Sequence, residues 1–316
     1  MREGHLAPMD RRSMLSVSLL ALAGGSRGLA AEKLVVGLAV PNLQADFFNQ
    51  VKQTVTGAAE GHGNAGVIVV DAQNDGAKQV GQVQDLITKK IRALIYIPAG
   101  ATAASVPVKL ARTAKIPVVC VDRFPPGMPG DTFIASDSVK SARMLGEWVI
   151  KQVGGKAKVA IIHGQMGTTP EVERSQGFMQ AMKSAPGMQL VAEQAADWDA
   201  DKAFTVAQDM LQRHPDISVF FGECDTMAIS AARAARLANL GHRVWSVGFD
   251  GDTAALKVLK NGGFDATMTQ KVRAMGRLAF QAVLDALAGK PLPKATLMDA
   301  VLTTKENVDQ FIAAHP

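Results

Sequence analysis

VVCVDR, residues 118–123, runs through four apolar or weakly polar residues and then stops on Asp122 and Arg123. A continuous Val-rich run without polar alternation fits a strand covered on both faces, the environment of a parallel sheet. A charge left inside such a core costs several kcal/mol unless it is paired. The two charges therefore belong where the strand leaves the sheet, which makes them the address of a binding site.

The same pattern recurs on either side. LVVGLAV (34–40), VIVVDA (67–72) and ALIYIPA (93–99) precede it; KVAIIHG (158–164), MQLVAEQ (188–194), SVFFGE (218–223), VWSVGFD (244–250) and DATMTQ (265–270) follow. Stretches between them, such as GAKQVGQVQDLITKK (76–90) and KVRAMGRLAFQAVLDALAG (271–289), space apolar residues as a helix does, and the second ends on Gly289 with Pro291 beyond it. Alternating strands and helices in two series predict an α/β protein of two doubly wound parallel sheets. No low-complexity tract separates the halves, so direct crossings of the chain, able to act as a hinge, are expected to join them.

The chain has 316 residues, of which 47% are hydrophobic, a length that suits two lobes better than one core. Its start reads differently. Arg11 and Arg12 precede an apolar run from Met14 to Ala23, and small residues then offer cleavage near Ala30 or Ala31. That order predicts an export signal over residues 1–30 and a periplasmic location, and the paired arginines resemble a twin-arginine signal, although a Sec signal can hold the same pair. Residues 1–30 carry four arginines against Glu3 and Asp10, which leaves +3 of the net charge of +5 on the remainder, without basic blocks. A nucleic-acid surface is not expected. Two cysteines, Cys120 and Cys224, do not make a disulfide framework, and both read as buried thiols.

Ligands of open α/β sheets bind outside the carboxyl ends of the strands. Phe47 and Phe48 follow the first strand, Asp122 and Arg123 the fourth, and Arg174 stands in EVERSQGF after KVAIIHG. Trp198 follows in ADWDA, then Cys224 in GECDTM, Asp250 in VGFDGD and Gln270 at the end of ATMTQ. Aromatic faces pack against sugar C–H groups. Carboxylates accept from hydroxyls, guanidinium groups donate to them, and an amide does both. The set suits a compact polyhydroxylated ligand.

DFF after the first strand, VDR, FIASDS, ERSQGF, the run DMLQRHPDISVFFGECDTMAISAARA, VGFDGD and ATMTQ together resemble the periplasmic ribose-binding protein family over nearly everything after residue 33. The resemblance implies a type I periplasmic binding fold with three hinge crossings, one lobe of residues 31–136 plus 271–299 and another of 137–270 plus 300–316. It implies a ligand closed between the lobes and passed to the membrane permease of an ABC importer. Carried over by position, Phe48 and Trp198 sandwich the sugar ring and Phe47 closes the rim, while Asp122, Arg123, Arg174, Asp250 and Gln270 bond its hydroxyls. Ala45 and Cys224 depart from the family, standing where its ribose binders carry asparagines, and Trp198 replaces a Phe. The departures point to a small, pentose-like sugar or sugar alcohol, smaller or less oxygenated than ribose.

Each residue also has a plainer reading. Phe47 or Phe48 could be core, and Arg174 could pair with Glu171 or Glu173 on its own helix. Asp250 could cap the helix beginning near residue 253, Asp122 and Arg123 could form a structural ion pair, and Trp198 could cover a strand edge. Catalysis is not expected. No His stands at an obvious partnering position for Cys224, no phosphate-loop glycine motif occurs, and Cys and His lack metal-ligand spacing. No cofactor or metal is expected, and the protein is expected to act as a monomer. A DNA-binding effector domain is disfavoured by the lack of room for a helix-turn-helix before the first strand. Presentation of a sugar or furanosyl signal to a chemoreceptor or sensor kinase is the alternative to transport.

Overall fold

The computed structural model describes Met1 and residues 33–315. The export segment expected over residues 1–30 lies outside the described residues, Met1 apart. In chain order the strands are β1 (Leu34–Val40), β2 (Ala65–Asp71), β3 (Ala93–Tyr96), β4 (Val118–Val121), β5 (Thr132–Ser136), β6 (Lys156–His163), β7 (Gly187–Ala195), β8 (Val219–Gly222), β9 (Trp245–Asp250), β10 (Ala266–Thr269), β11 (Ala295–Met298) and β12 (Val301–Thr304). The helices are α1 (Asp46–Gly61), α2 (Gly76–Thr88), α3 (Ser105–Thr113), α4 (Ser138–Gln152), α5 (Thr169–Lys183), α6 (Ala200–Arg213), α7 (Asp225–Ala238), α8 (Thr253–Lys260), α9 (Val272–Leu287) and α10 (Val308–Ala313).

The strands form two six-stranded sheets, ordered β11-β5-β4-β3-β1-β2 and β12-β10-β9-β8-β6-β7. Every pairing in the first sheet is parallel. The second is parallel except where β12 runs antiparallel to β10. Helices cover both faces of each sheet. In the first lobe Val51 and Val55 of α1 pack with Met275 and Phe280 of α9 on one face, and Val83 and Leu86 of α2 with Val108 of α3 on the other. In the second, Leu145 of α4 and Phe178 of α5 line one face, and Met210 of α6 and Met227 of α7 the other. Each such side chain, fully buried, contributes about 1.5–3 kcal/mol. Phe178 stacks on Phe221 at 4.3 Å, and α4 and α5 approach so closely that a Cβ on Gly177 would meet the Val139 carbonyl oxygen at 2.1 Å.

The chain passes between the lobes three times: between β5 and α4, between β10 and α9, and between β11 and β12. The first and third passages run side by side. Asp137 N–H donates to the Met298 carbonyl at 2.9 Å, Ala300 N–H to Ser141 Oγ at 3.3 Å, and Lys140 Nζ to Asp299 at 2.7 Å. This is the two-lobed, doubly wound, three-crossing fold expected.

Three strands are absent from the run of apolar segments quoted above. Residues of β11 alternate between exposed and half-buried, and β12 ends in two threonines, so neither carries the apolar run of a strand covered on both faces. β5 is wholly buried but only five residues long.

Candidate ligand-binding site

The exits of β1, β4, β6, β7, β8, β9 and β10 converge between the lobes. β4 ends in a tight turn: Arg123 N–H donates back to the Val121 carbonyl, while Asp122, still bonded to the β5 carbonyl of Ile134 at 2.9 Å, takes φ of 59°, in the left-handed region that Asp tolerates better than most residues. The turn brings Arg123 Nε to 3.4 Å from Asp122 Oδ2, with both side chains almost fully buried. The plainer reading of this pair as an ion pair is thus correct, but the pair lies in the cleft. The Arg123 guanidinium is 5.3 Å from the Phe48 ring and 5.5 Å from that of Trp198.

Arg174 projects from α5 in the other lobe. Its Nη2 lies 3.0 Å from Asp250 Oδ1, its Nη1 donates to the Glu223 carbonyl, and its guanidinium lies 4.0 Å from the Phe249 ring and 5.7 Å from Trp198. It pairs with neither Glu171 nor Glu173. Gln270 Nε2 donates to the same Asp250 oxygen at 2.8 Å. Asp250 takes φ of 117°, a strained conformation at the end of β9, and the N-cap position of α8 is held by Asp252 rather than Asp250, without a side-chain cap bond.

Trp198 sits between β7 and α6 with φ of 67°. Its indole lies so flat on the end of β6 that a Cβ on Gly164 would stand 2.1 Å from the ring, so glycine is required there. Phe47 meets Phe48 edge-on at 5.3 Å, and both rings join the core cluster of the first lobe; Phe48 alone faces Arg123. Cys224 is buried at the start of α7, with Sγ 3.1 Å from Thr226 Oγ1, and burial pushes its thiol up to about 12, so it is a neutral, weakly polar wall.

Burial raises the Asp122 carboxyl, and Arg123 and Arg174 oppose that rise. Burial likewise pushes Asp250 up to about 6, against the pull of Arg174. Two guanidinium groups therefore face two carboxylates, each pair closed within its own lobe. Arg174 Nε, Trp198 Nε1 and Gln270 Oε1 are buried without a hydrogen-bond partner among the described residues. Two donors and an acceptor thus converge on one place, a set that a neutral hydroxylated molecule satisfies.

The lobes meet over this place. Phe124 N–H donates to Thr169 Oγ1 at 3.2 Å, and that hydroxyl donates back to the Phe124 carbonyl at 3.3 Å. A second cavity of about 580 Å³ lies away from the cleft against Arg236, His242 and Arg243. Those side chains are already held by Gly263, Leu240, Ile217 and Asp265, so that cavity offers few free donors.

Residues 36–291 match the family model of the periplasmic binding protein domain. The chain belongs to the periplasmic binding protein family. This binding protein is 35% identical over 275 residues to the ribose import binding protein of Bacillus subtilis, covering 87% of this chain and 88% of that one. It is 32% identical over 268 residues to the D-ribose/D-allose-binding protein of Pseudomonas aeruginosa, covering 82% of this chain and 84% of that one. Among solved structures it superposes, with a TM-score of 0.83 and 26% identity, on an ABC transporter solute binding protein from Bacillus halodurans with bound myo-inositol, covering 90% of this chain and 99% of that one. The family is one of transport binding proteins, and this member is a binding protein, not an enzyme. Among the described residues no helix is long and apolar enough to cross a membrane.

Three features of the binding protein's cleft escaped the strand-exit reading. Glu173, on α5, senses Asp122 of the opposite lobe; burial first, and then Asp122, push its carboxyl up to about 7. Asp252 is buried with Oδ1 unpartnered, and burial, then Asp250, raise it well above its ordinary range. His163 stands among Glu171, close by in the chain, and Glu193 and Glu223, 30 and 60 positions away. All of these residues, His163 and its carboxylates included, lie inside quoted motifs, but nothing in the sequence says which of them meet.

Proposed function

We propose that this periplasmic binding protein closes on a small, neutral, pentose-like sugar or sugar alcohol and delivers it to the membrane permease of an ABC importer. The observation that carries this reading is the pairing of Arg123 with Asp122 in one lobe and of Arg174 with Asp250 in the other, 3.4 and 3.0 Å apart, beneath the shared indole of Trp198. Charge balanced within each lobe leaves hydrogen bonding and ring stacking as the sources of affinity. Residues 31–136 with 271–299 and residues 137–270 with 300–316 act as the two closing bodies, and the ligand shifts the population toward closure by touching both. Phe47, Phe48, Asp122, Arg123, Arg174, Trp198, Cys224, Asp250 and Gln270 form the binding set. Phe47 supports Phe48 from the core side.

Relatives that are named import binding proteins favour delivery to a permease over presentation to a chemoreceptor or sensor kinase. Both walls of the cleft come from one chain, which supports action as a monomer. Residues 1–30 serve as the export signal. Thermal-shift screening against pentoses, hexoses, tetroses, their alcohols and furanosyl compounds tests the proposal, because a ligand at 100 times its dissociation constant adds about 2.7 kcal/mol. One strong response among them names the ligand. Silence across the panel from folded protein overturns the substrate class.

A further inference from the structure

Behind the cleft wall of the second lobe, β6, α5 and β8 bring together His163, Glu171 and Glu223, all buried, with one potential ligand atom from each lying within 4.8 Å of the others. His163 Nδ1 is 3.1 Å from Glu223 Oε1 and 3.8 Å from Glu171 Oε1. The far oxygen of each carboxylate is already held by a backbone N–H: Glu223 Oε2 accepts from Gly164 at 2.7 Å and Glu171 Oε2 from Gly167 at 2.8 Å. The two near oxygens, of which Glu223 Oε1 also accepts from Ser175 Oγ, are thereby turned toward the same imidazole nitrogen. The other ring nitrogen, Nε2, is backed by Glu193 at 3.3 Å, and Ser175 Oγ stands 3.1 Å from Nδ1 and 2.6 Å from Glu223 Oε1.

We propose that His163 Nδ1, Glu171 Oε1 and Glu223 Oε1 form a binding site for a divalent transition metal of the zinc class. Zinc holds nitrogen and oxygen ligands at about 2.0–2.2 Å, which puts the corners of its tetrahedron about 3.3 Å apart. The separations of 3.1 and 3.8 Å bracket that value. Imidazole nitrogen and carboxylate oxygen are both zinc ligands, and a histidine whose second nitrogen meets a carboxylate is the usual outer support of such a ligand. Here Glu193 supplies that support, the Gly164 and Gly167 N–H groups orient the carboxylates, and Ser175 offers a neutral oxygen on a fourth side.

Charge argues the same way. Glu171 and Glu223 are two buried carboxylates facing one imidazole. Burial, only partly offset by the Gly167 N–H, holds the Glu171 carboxyl above its ordinary range, and Glu223 adds to that rise. Burial lowers His163, but Glu223, Glu193 and Glu171 raise it on balance, so the imidazole offsets at most one of the two carboxylate charges, where a dication in place of its proton offsets both. Glu193, whose side chain is 59% exposed, opens the cluster to solvent and gives the ion a path in.

Bound metal would tie both ends of the loop 164–168. That loop carries Gln165, which lies against Gly100 of the other lobe. It would also fix Glu223, whose carbonyl accepts from Arg174. The site is chemically separate from the sugar-binding set and needs no sugar to be tested.

The test is equilibrium dialysis of the full chain, stripped with EDTA, against zinc chloride. Metal analysis and cobalt(II) substitution, read by visible absorption, complete it. One zinc per chain is expected, with a raised melting temperature and a cobalt band typical of four or five ligands. His163→Ala and Glu171→Gln should each weaken zinc binding at least tenfold and abolish the cobalt band. Glu171 lies at the first turn of a helix, so Glu171→Gln carries the test if His163→Ala does not fold. Wild-type protein that retains no stoichiometric zinc, or a folded Glu171→Gln variant that binds it as tightly, overturns the proposal.

Discussion

Trp198, on the second lobe, holds its indole ring 5.5 Å from the guanidinium of Arg123, on the first. The same ring lies 5.7 Å from Arg174 in its own lobe, so one aromatic face is shared by the two cations of the cleft. Desolvated cation–π contacts contribute about 2 kcal/mol. Closure therefore depends on this ring as well as on the ligand. Trp198→Ala should weaken ligand binding at least tenfold by titration calorimetry, and Trp198→Phe should restore most of the loss. Equal affinity in wild type and Trp198→Ala would remove the indole from the site.

Asp122 and Arg174 each belong to a buried pair, so removing either leaves its partner charged and unpaired as well as taking a bond from the ligand. Charge-assisted bonds contribute about 1.5–3 kcal/mol. Asp122→Ala and Arg174→Ala are expected to raise the dissociation constant at least tenfold each, with circular dichroism unchanged. Affinity untouched in both folded variants would place the ligand elsewhere.

Asp250 gives the cleft a pH dependence of defined sign. Burial raises its carboxyl from 3.8 to about 6. The folded, unliganded protein holds that proton more tightly than the unfolded chain. Asp250's contribution to stability is thus fully present below 3.8 and is lost as pH rises through about 6. Ligand hydroxyls reverse the preference, because they donate to the carboxylate and favour its ionised form. Ligand affinity should be about tenfold weaker at pH 5 than at pH 7.5, with a proton released on binding near the lower pH. Calorimetry in buffers of different ionisation enthalpy measures that proton, and Asp250→Asn should flatten the profile. A flat wild-type profile would show Asp250 to be ionised throughout.

The strand exits were legible in the sequence because burial on both faces writes a continuous apolar run, and a charge at its end has few places to go. VVCVDR put Asp122 and Arg123 in the cleft on that ground alone. What the runs could not say was which charges meet: Arg174 and Asp250 are 76 positions apart, and the nearby Glu171 and Glu173 offered equally good partners on paper. Distance along the chain also hid the meeting of His163 with Glu223, 60 positions apart, which the parallel register of β6 with β8 brings together. The late edge strands were hidden for a simpler reason. An edge with one wet side needs no apolar run.

Cys224 supplies the sharpest test of specificity. The resemblance to ribose binders places an asparagine at this position, and the thiol here is buried, neutral and turned to Thr226 at 3.1 Å. A thiol is a weak donor and weak acceptor, whereas an amide offers two donors and a good acceptor to the same wall. A site built to bond a hydroxyl rejects an analogue lacking it, because its own polar groups are then left unpaired. Cys224→Asn should therefore shift preference toward ribose and away from the natural ligand in a competition assay, by about tenfold for one regained bond to a hydroxyl. An unchanged preference in folded Cys224→Asn protein would assign the ligand choice to Trp198 and to Ala45, the other position that lacks the family's asparagine.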